Sequence, residues 1–126
     1  MAELVLWLTL TVYKEARGEP PMCQMAVAHV VLERSARAGL DVRSIVLQES
    51  QFSWVATDMV NGVLKPHAKP DKNSMGWKQS EESAIKAIYT TAKQKATHFH
   101  AVYIDKPKSW VGLKWVQTCG GHHFYS

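Results

Sequence analysis

The sequence has little cysteine, and this scarcity excludes two classes of small protein. Only Cys23 and Cys119 occur among the 126 residues, and neither lies in a Cys-x-x-Cys pair. Two cysteines cannot form a disulfide framework, and a zinc site built on cysteine needs closer spacing. Whether the two pair with each other is left open by the sequence. A chain of this length buries a core without such cross-links, so we expect one domain over residues 1–126.

Long hydrophobic runs are also missing. The most apolar stretch, residues 4–13, is too short to span a bilayer. Glu3 is acidic where a signal peptide carries Lys or Arg, and no small-residue cleavage site follows. We therefore expect residues 4–13 to belong to a buried helix and not to an export signal.

Acidic residues are few in the second half of the chain. Residues 1–63 carry five basic and seven acidic side chains, whereas residues 64–126 carry ten lysines and four acidic side chains. This excess of positive charge favours a polyanionic partner, either nucleic acid or an anionic cell envelope. A solvated surface would have the same composition. The 46% hydrophobic content excludes a disordered chain.

The pattern of apolar, glycine and proline residues predicts helices first and strands last. Four helices are expected, at residues 2–16, 21–38, 42–48 and 74–93, with a loop over 61–76. Strands are expected at residues 97–104, 115–119 and 122–125, the last two flanking a Gly120-Gly121 turn. This order indicates an α+β fold that is mainly helical, with a small antiparallel sheet near the C-terminus.

The densest chemical signal lies at the end of the first predicted helix, in Tyr13-Lys14-Glu15-Ala16-Arg17-Gly18-Glu19-Pro20. The negative end of the helix dipole opposes ionisation of Glu15, and apolar surroundings raise its pKa further. A carboxylic acid that stays protonated near neutral pH suits general-acid catalysis. Pairing of Arg17 with Glu15 or Glu19 would counter this effect. The alternative, without a catalytic role, is that both acids are exposed groups at a helix end.

Histidines form a second group of candidates. His98 and His100 alternate along a predicted strand, so both side chains are expected on one face, and His122 and His123 follow the hairpin turn. With a carboxylate from the first motif they would provide the ligands of a zinc site. No HExxH-like spacing supports that hypothesis, and lining a polar groove is the more common role.

Aromatic residues beside polar ones are candidates for the walls of a groove that binds sugar rings. The segment Gln51-Phe52-Ser53-Trp54 alternates polar and aromatic residues, and Trp110 follows Ser109. Most large aromatic residues pack in a core, so ordinary packing is the competing interpretation for each of them.

Five sequence blocks occur together in a recognisable order. The first reads Tyr-x-Glu-Ala-Arg-Gly-Glu-Pro, and the set covers nearly the whole chain: residues 13–20, 24–34, 51–54, 96–101 with Trp110, and 120–125. In order and spacing these blocks resemble the SleB/CwlJ-type cell wall hydrolase family. The resemblance implies a lysozyme-like catalytic domain that needs no cofactor and acts on the glycan strands of peptidoglycan.

The activity implied by the resemblance is lytic transglycosylation between N-acetylmuramic acid and N-acetylglucosamine. Its single essential acid maps to Glu15, the product is a 1,6-anhydro-muramyl sugar, and Glu19 is the reserve carboxylate. A hydrolytic muramidase and, because of the histidines, a zinc-dependent N-acetylmuramoyl-L-alanine amidase are the alternatives. A non-catalytic binding module is a third class, suggested by the lysine-rich half.

The resemblance also implies a set of substrate-binding residues drawn from all the blocks: Arg17, Gln51, Phe52, Ser53, Trp54, Thr97, His98, His100, Trp110, His122 and Tyr125. We expect a monomer whose lysines contact the anionic envelope, with no nucleic-acid partner. The absence of an export signal favours an endolysin-like, bacteriolytic enzyme. Such an enzyme is made in the host cytoplasm and then acts on the wall, whereas the competing prediction is a secreted enzyme.

Overall fold

The computed structural model of the protein describes residues 2–48 and 51–126. Its helices are α1 (Ala2–Ala16), α2 (Pro21–Ala38), α3 (Val42–Val46), α4 (Ser53–Asp58) and α5 (Met75–Ile88), and a 3-10 turn covers Pro66–Ala68. Its strands are β1 (Met59–Val60), β2 (Val63–Leu64), β3 (His98–Ala101), β4 (Trp115–Cys119) and β5 (His122–Tyr125). The predicted α+β class, with a small antiparallel sheet near the C-terminus, is confirmed.

Helix α1 lies at the centre of the helical layer because it is apolar on almost every side. Leu8, Leu10 and Val12 are buried, and the helix packs against both α2 and α5. The buried Thr11 hydroxyl donates to the carbonyl of Trp7 at 2.9 Å, so this polar group is satisfied inside the core. Within the described part of the chain, no helix is both long enough and apolar enough to cross a membrane.

The observed helix ends follow from local capping. Gly39 adopts a φ of 67° and ends α2 in the left-handed conformation that glycine favours. Asp41 caps α3, because its carboxylate accepts the Ser44 N–H at 2.8 Å. Helix α5 ends at Ile88 and not at residue 93, and α3 ends at Val46 and not at residue 48.

The sequence predicts neither α4 nor the small hairpin formed by β1 and β2. The hairpin overlaps the predicted loop over residues 61–76, and its turn places Asn61 and Gly62 at φ values of 51° and 76°. Each strand of this hairpin has two residues, which is too short to produce a readable alternation. Helix α4 has six residues and likewise gives little periodic signal.

The three-stranded sheet has the order β3-β5-β4, with β5 antiparallel to both neighbours. Side chains alternate along β5, so His122 and Phe124 are buried while Tyr125 lies on the opposite face. Phe124 is fully buried in the main core and attaches the sheet to the helices. The predicted hairpin around Gly120-Gly121 is confirmed.

A disulfide joins Cys23, in the first turn of α2, to Cys119 at the end of β4. The two residues are 96 positions apart in the sequence, so the bond closes most of the chain into one loop. It holds the β4–β5 hairpin against the N-terminal end of α2, close to the segment that carries Glu15 and Glu19.

Candidate active site

A cleft of about 930 Å³ contains both predicted acids. Its walls come from the end of α1, the second half of α2, residues 51–53 at the start of α4, strand β3 with the loop that follows it, and the β4–β5 turn. A second cavity of about 400 Å³ lies between α1 and the β1–β2 hairpin, but its lining is apolar apart from two lysines. Acid–base chemistry therefore points to the first cleft.

Glu15 lies in the last turn of α1 and is mostly buried. Burial, and secondly the negative charge of Glu19, raises the pKa of Glu15 from 4.5 to about 7. Both effects disfavour the carboxylate form; the sequence predicts burial in apolar surroundings but not the contribution of the Glu19 charge. At neutral pH the protonated and ionised forms therefore coexist, which suits a group that first donates and then accepts a proton.

Glu19 is held by the β4–β5 turn. One carboxylate oxygen lies 3.2 Å from His122 Nδ1, and the other accepts the Gly121 N–H at 3.3 Å. Gly120 has a φ of 56°, and a Cβ atom at this position would overlap the Glu19 carboxylate. A side chain there would strain the backbone and displace the Glu19 carboxylate, so glycine at this position lets Glu19 pack against the turn. Glu19 is thus bound to the scaffold more firmly than Glu15.

An aromatic and histidine wall lines another part of the same cleft. The rings of His98 and His100 lie 4.9 Å and 5.9 Å from the Trp110 ring, which confirms that both histidines project from one face of β3. The Thr97 hydroxyl lies 2.8 Å from His98 Nδ1, and the Tyr125 hydroxyl lies 3.1 Å from His100 Nε2. These hydrogen bonds therefore fix the orientation of both imidazole rings.

Three of the predicted substrate-binding residues lie outside the cleft lining and support it indirectly: Trp54, Thr97 and Tyr125. Trp54 is part of the hydrophobic core, because α4 turns this side chain inward. Thr97 and Tyr125 position the histidines of the wall. The remaining predicted residues, apart from Arg17, line the cleft: Gln51, Phe52, Ser53, His98, His100, Trp110 and His122.

Arg17 also lies outside the cleft lining. Its guanidinium donates a hydrogen bond to the Tyr13 hydroxyl and lies 4.4 Å from the centre of the Tyr13 ring. Its aliphatic carbons pack where a Cβ on Gly76 would be, so this arginine faces α5. Within the described residues it forms no ion pair with Glu15 or Glu19, and the pairing considered from the sequence is wrong.

The cleft also includes residues that the sequence argument did not assign. Lys14 donates to Asp58 Oδ2 at 2.7 Å and to the Ala68 carbonyl at 3.0 Å, which fixes the end of α1 against α4. Arg34 enters from α2, and Tyr103 from the loop after β3. Arg34 ends the second block of the resemblance, which is a signal for it, whereas Lys14 falls on the unspecified position of the first block and has no such signal.

The zinc hypothesis finds no ligand set in this arrangement. Among residues 2–48 and 51–126, no three His, Cys, Asp or Glu side chains are grouped so as to hold a metal ion. His122 faces Glu19, whereas His98 and His100 face Trp110. The histidines are thus distributed between two different contacts.

Replacing Glu15 with Gln is expected to stabilise the protein in alkaline solution. The pKa of Glu15 is about 7 in the folded state and 4.5 as its ordinary value, so ionisation opposes folding as the pH rises from 4.5 through 7. Above pH 7 this difference costs on the order of 3 kcal/mol, and below pH 4 it costs nothing. Urea unfolding of E15Q and wild type at several pH values measures the gain.

The matched control for that measurement is Glu82→Gln, the same change at an exposed position on α5. We expect no comparable gain for E82Q at any pH. Equal unfolding free energies of E15Q and wild type at pH 9 would contradict the burial of Glu15.

Comparison with known proteins gives one family and two structural neighbours. The family described as Cell Wall Hydrolase matches residues 18–125, a range that includes Glu19 and begins just after Glu15. The catalytic domain of the Bacillus cereus SleB protein is 20% identical, with a TM-score of 0.76 over 100% of this chain and 91% of that one.

The second neighbour is the catalytic domain of the germination-specific lytic transglycosylase SleB from Bacillus anthracis. It is also 20% identical, with a TM-score of 0.76 over 100% of this chain and 96% of that one. No curated protein matches the chain. At this identity the two likenesses show the fold, and they agree with the α+β architecture.

Proposed function

The chain belongs to the cell wall hydrolase family, and on this premise we propose that it is a lytic transglycosylase acting on the glycan strands of peptidoglycan. The observation that carries the proposal is Glu15, a mostly buried acid with a pKa of about 7 that lines a cleft of about 930 Å³. One of the two structural neighbours is described as a lytic transglycosylase, which supports the same chemistry.

Glu15 performs both proton transfers of the proposed reaction. As the acid, it protonates the oxygen of the β-1,4 bond while the bond from that oxygen to C1 of N-acetylmuramic acid breaks. As the resulting carboxylate, it accepts the proton of the muramic 6-hydroxyl while that oxygen attacks C1. The second step forms the 1,6-anhydro ring and restores the protonated acid, so no water is consumed.

The firm anchoring of Glu19 favours this mechanism over one with two catalytic carboxylates. A retaining or inverting glycosidase needs a second carboxylate to act as nucleophile or base. Glu19 instead contacts His122 and the Gly121 N–H, so we assign it to positioning the β4–β5 turn at the cleft.

A hydrolytic muramidase is the second candidate, favoured by one observation. Glu19 lines the same cleft as Glu15 and is close enough to raise the pKa of that acid. In this alternative Glu19 would activate a water molecule, and the product would be a reducing muramic acid.

Substrate contacts in the proposal come from polar residues at the start of α4 and from the histidine wall. Gln51 and Ser53 offer hydrogen-bonding groups to the cleft, and Trp110 offers an aromatic ring. His98 and His100 place imidazole nitrogens beside that face.

Digestion of purified peptidoglycan, followed by mass spectrometry of the muropeptides, tests the proposed function. We expect 1,6-anhydro-muramyl products, with activity retained in EDTA. Reducing-end muramic acid without the anhydro form would indicate the muramidase. Released peptides with intact glycan strands, together with loss of activity in EDTA, would indicate the amidase.

We further propose that the protein acts as a monomer in an endolysin-like setting, with the lysine-rich half of the chain contacting the anionic envelope. The ten lysines of residues 64–126 support this contact. Binding to isolated sacculi should then weaken as ionic strength rises, because salt screens exposed charges. Binding that is unaffected by salt would contradict the proposed contact.

A further inference from the structure

Arg34 is a cation inside the cleft whose partner is a neutral amide. It extends from α2 into the cleft lining, and it is half-buried. Its Nη2 donates to Gln48 Oε1 at 3.3 Å, a long hydrogen bond for a charged donor. Within the described residues, no carboxylate lies within ion-pair distance of its guanidinium.

The other cation of the cleft lining is satisfied. Lys14 is bonded to Asp58 at 2.7 Å and to a backbone carbonyl, so its charge is neutralised within the protein. Arg37, the next arginine along α2, forms an exposed pair with Glu33. Burial lowers the pKa of Arg34, because the guanidinium has lost hydration. Among the described residues, Arg34 therefore differs from both of these neighbours, because it faces the cleft and no carboxylate accepts from its guanidinium.

From this placement we propose that Arg34 binds a carboxylate carried by the muramic acid residue of the substrate. The inference rests on the proposed function. In a glycan strand the sugar hydroxyls and acetamido groups are neutral. A negative charge is found on the lactyl group once its peptide has been removed, or on the stem peptide where it remains. A planar guanidinium binds such a group through two parallel hydrogen bonds.

The position of Arg34 places this carboxylate site on the side of the cleft where His98 lies. Burial, and secondly the charge of Arg34, lowers the pKa of His98. A bound carboxylate would cancel part of the Arg34 charge, so the pKa of His98 should rise when the ligand binds. This gives a spectroscopic signature that does not depend on turnover.

The experiment compares three substrates that differ in charge. They are intact peptidoglycan, amidase-stripped strands with free lactyl carboxylates, and stripped strands whose carboxylates have been converted to amides. For Arg34→Gln we expect KM to rise about tenfold to a hundredfold on whichever of the first two substrates carries the carboxylate that Arg34 binds. On the amidated strands KM should stay unchanged. Arg34→Lys keeps the charge but loses the planar guanidinium that makes two parallel hydrogen bonds, so its KM should lie between those of wild type and Arg34→Gln.

The source of the carboxylate follows from which substrate responds. If KM rises only on the stripped strands, the bound carboxylate is that of the lactyl group. If KM rises only on intact peptidoglycan, it is a carboxylate of the stem peptide. Arg37→Gln, on the same helix but outside the cleft, is the matched control and should leave KM unchanged on both the charged and the amidated substrates. Equal losses for Arg34→Gln on charged and amidated strands, or no loss on either, would overturn the inference.

Direct binding separates this inference from the proposed function. The dissociation constants of soluble stripped and amidated fragments are measured by calorimetry, and the His98 resonance is titrated by NMR with and without the stripped fragment. Carboxylate-dependent binding without any cleavage would contradict the transglycosylase proposal and support the Arg34 site. Cleavage together with charge-independent binding and an unchanged His98 pKa would support the transglycosylase proposal and contradict the Arg34 site.

Discussion

The Glu15→Gln variant is expected to lose about 10²- to 10⁴-fold of wild-type turnover while remaining folded. Glutamine has nearly the same shape as glutamic acid but cannot donate a proton to the glycosidic oxygen. The loss should appear in kcat rather than KM, because the proton moves in the transition state. Release of anhydro-muropeptides per minute from purified peptidoglycan is the measurement.

The pH dependence of wild-type turnover provides a second readout of the same assignment. The general acid acts in its protonated form, and the pKa of Glu15 is about 7. Turnover should therefore fall above pH 7, by about tenfold for each further pH unit. A Glu15 with an ordinary pKa would instead place this decline near pH 4.5.

Two variants separate Glu15 from a general effect of removing acid groups. Glu82→Gln on the exposed face of α5 should retain full turnover. Glu19→Gln should lose less than Glu15→Gln, because it weakens the contact with His122 and Gly121 but leaves the proton donor in place. If Glu19→Gln abolished turnover and Glu15→Gln did not, the roles of the two acids would be reversed.

The parts of the fold that could be predicted from the sequence are those with local signals. Residues 2–16 and 21–38 form helices with the predicted bounds, because Gly39 and the prolines at positions 20 and 21 mark their ends. The turn at Gly120-Gly121 likewise places β4 and β5 as predicted. In each case the decisive residues lie within a few positions of the boundary that they set.

Contacts between distant segments could not be predicted in the same way. Arg17 follows Glu15 by two positions, yet it packs against Tyr13 and Gly76 instead of neutralising either acid. Trp54 belongs to an aromatic alternation that predicts a groove wall, yet α4 turns it into the core. Both outcomes depend on which segment lies opposite, and a single sequence does not encode that in a local pattern.

The raised pKa of Glu15 depends partly on local sequence and partly on contacts between distant segments. Its place in the last turn of an apolar helix is readable from the local sequence, and that place alone indicates the direction of the shift. The magnitude of the shift depends on burial beneath the other walls of the cleft and on Glu19, which the β4–β5 turn holds in place. The sequence therefore predicts the chemistry of the acid better than the contacts that produce it.

Loss of the Cys23–Cys119 disulfide is expected to lower the free energy of unfolding by about 4–5 kcal/mol. The bond closes a loop of 96 positions, and removing it restores chain entropy to the unfolded state. This is a large share of the ~5–15 kcal/mol that stabilises an ordinary domain. Urea unfolding of the protein with and without a reducing agent measures the loss.

The double variant Cys23→Ser, Cys119→Ser is the control, since its stability should equal that of the reduced protein and be insensitive to the reductant. A wild-type midpoint that does not move on complete reduction would contradict the predicted contribution of the bond.

The same double variant distinguishes what the disulfide does for the fold from what it does for the site. Glu15 lies at the end of α1, which packs mainly on α5, α2 and α3. Its pKa comes mainly from burial, so the decline of turnover above pH 7 should persist in variant molecules that remain folded. Glu19, by contrast, contacts the turn that Cys119 anchors. If kcat drops and the pH profile does not shift, the disulfide affects turnover through the β4–β5 hairpin and not through the proton donor Glu15.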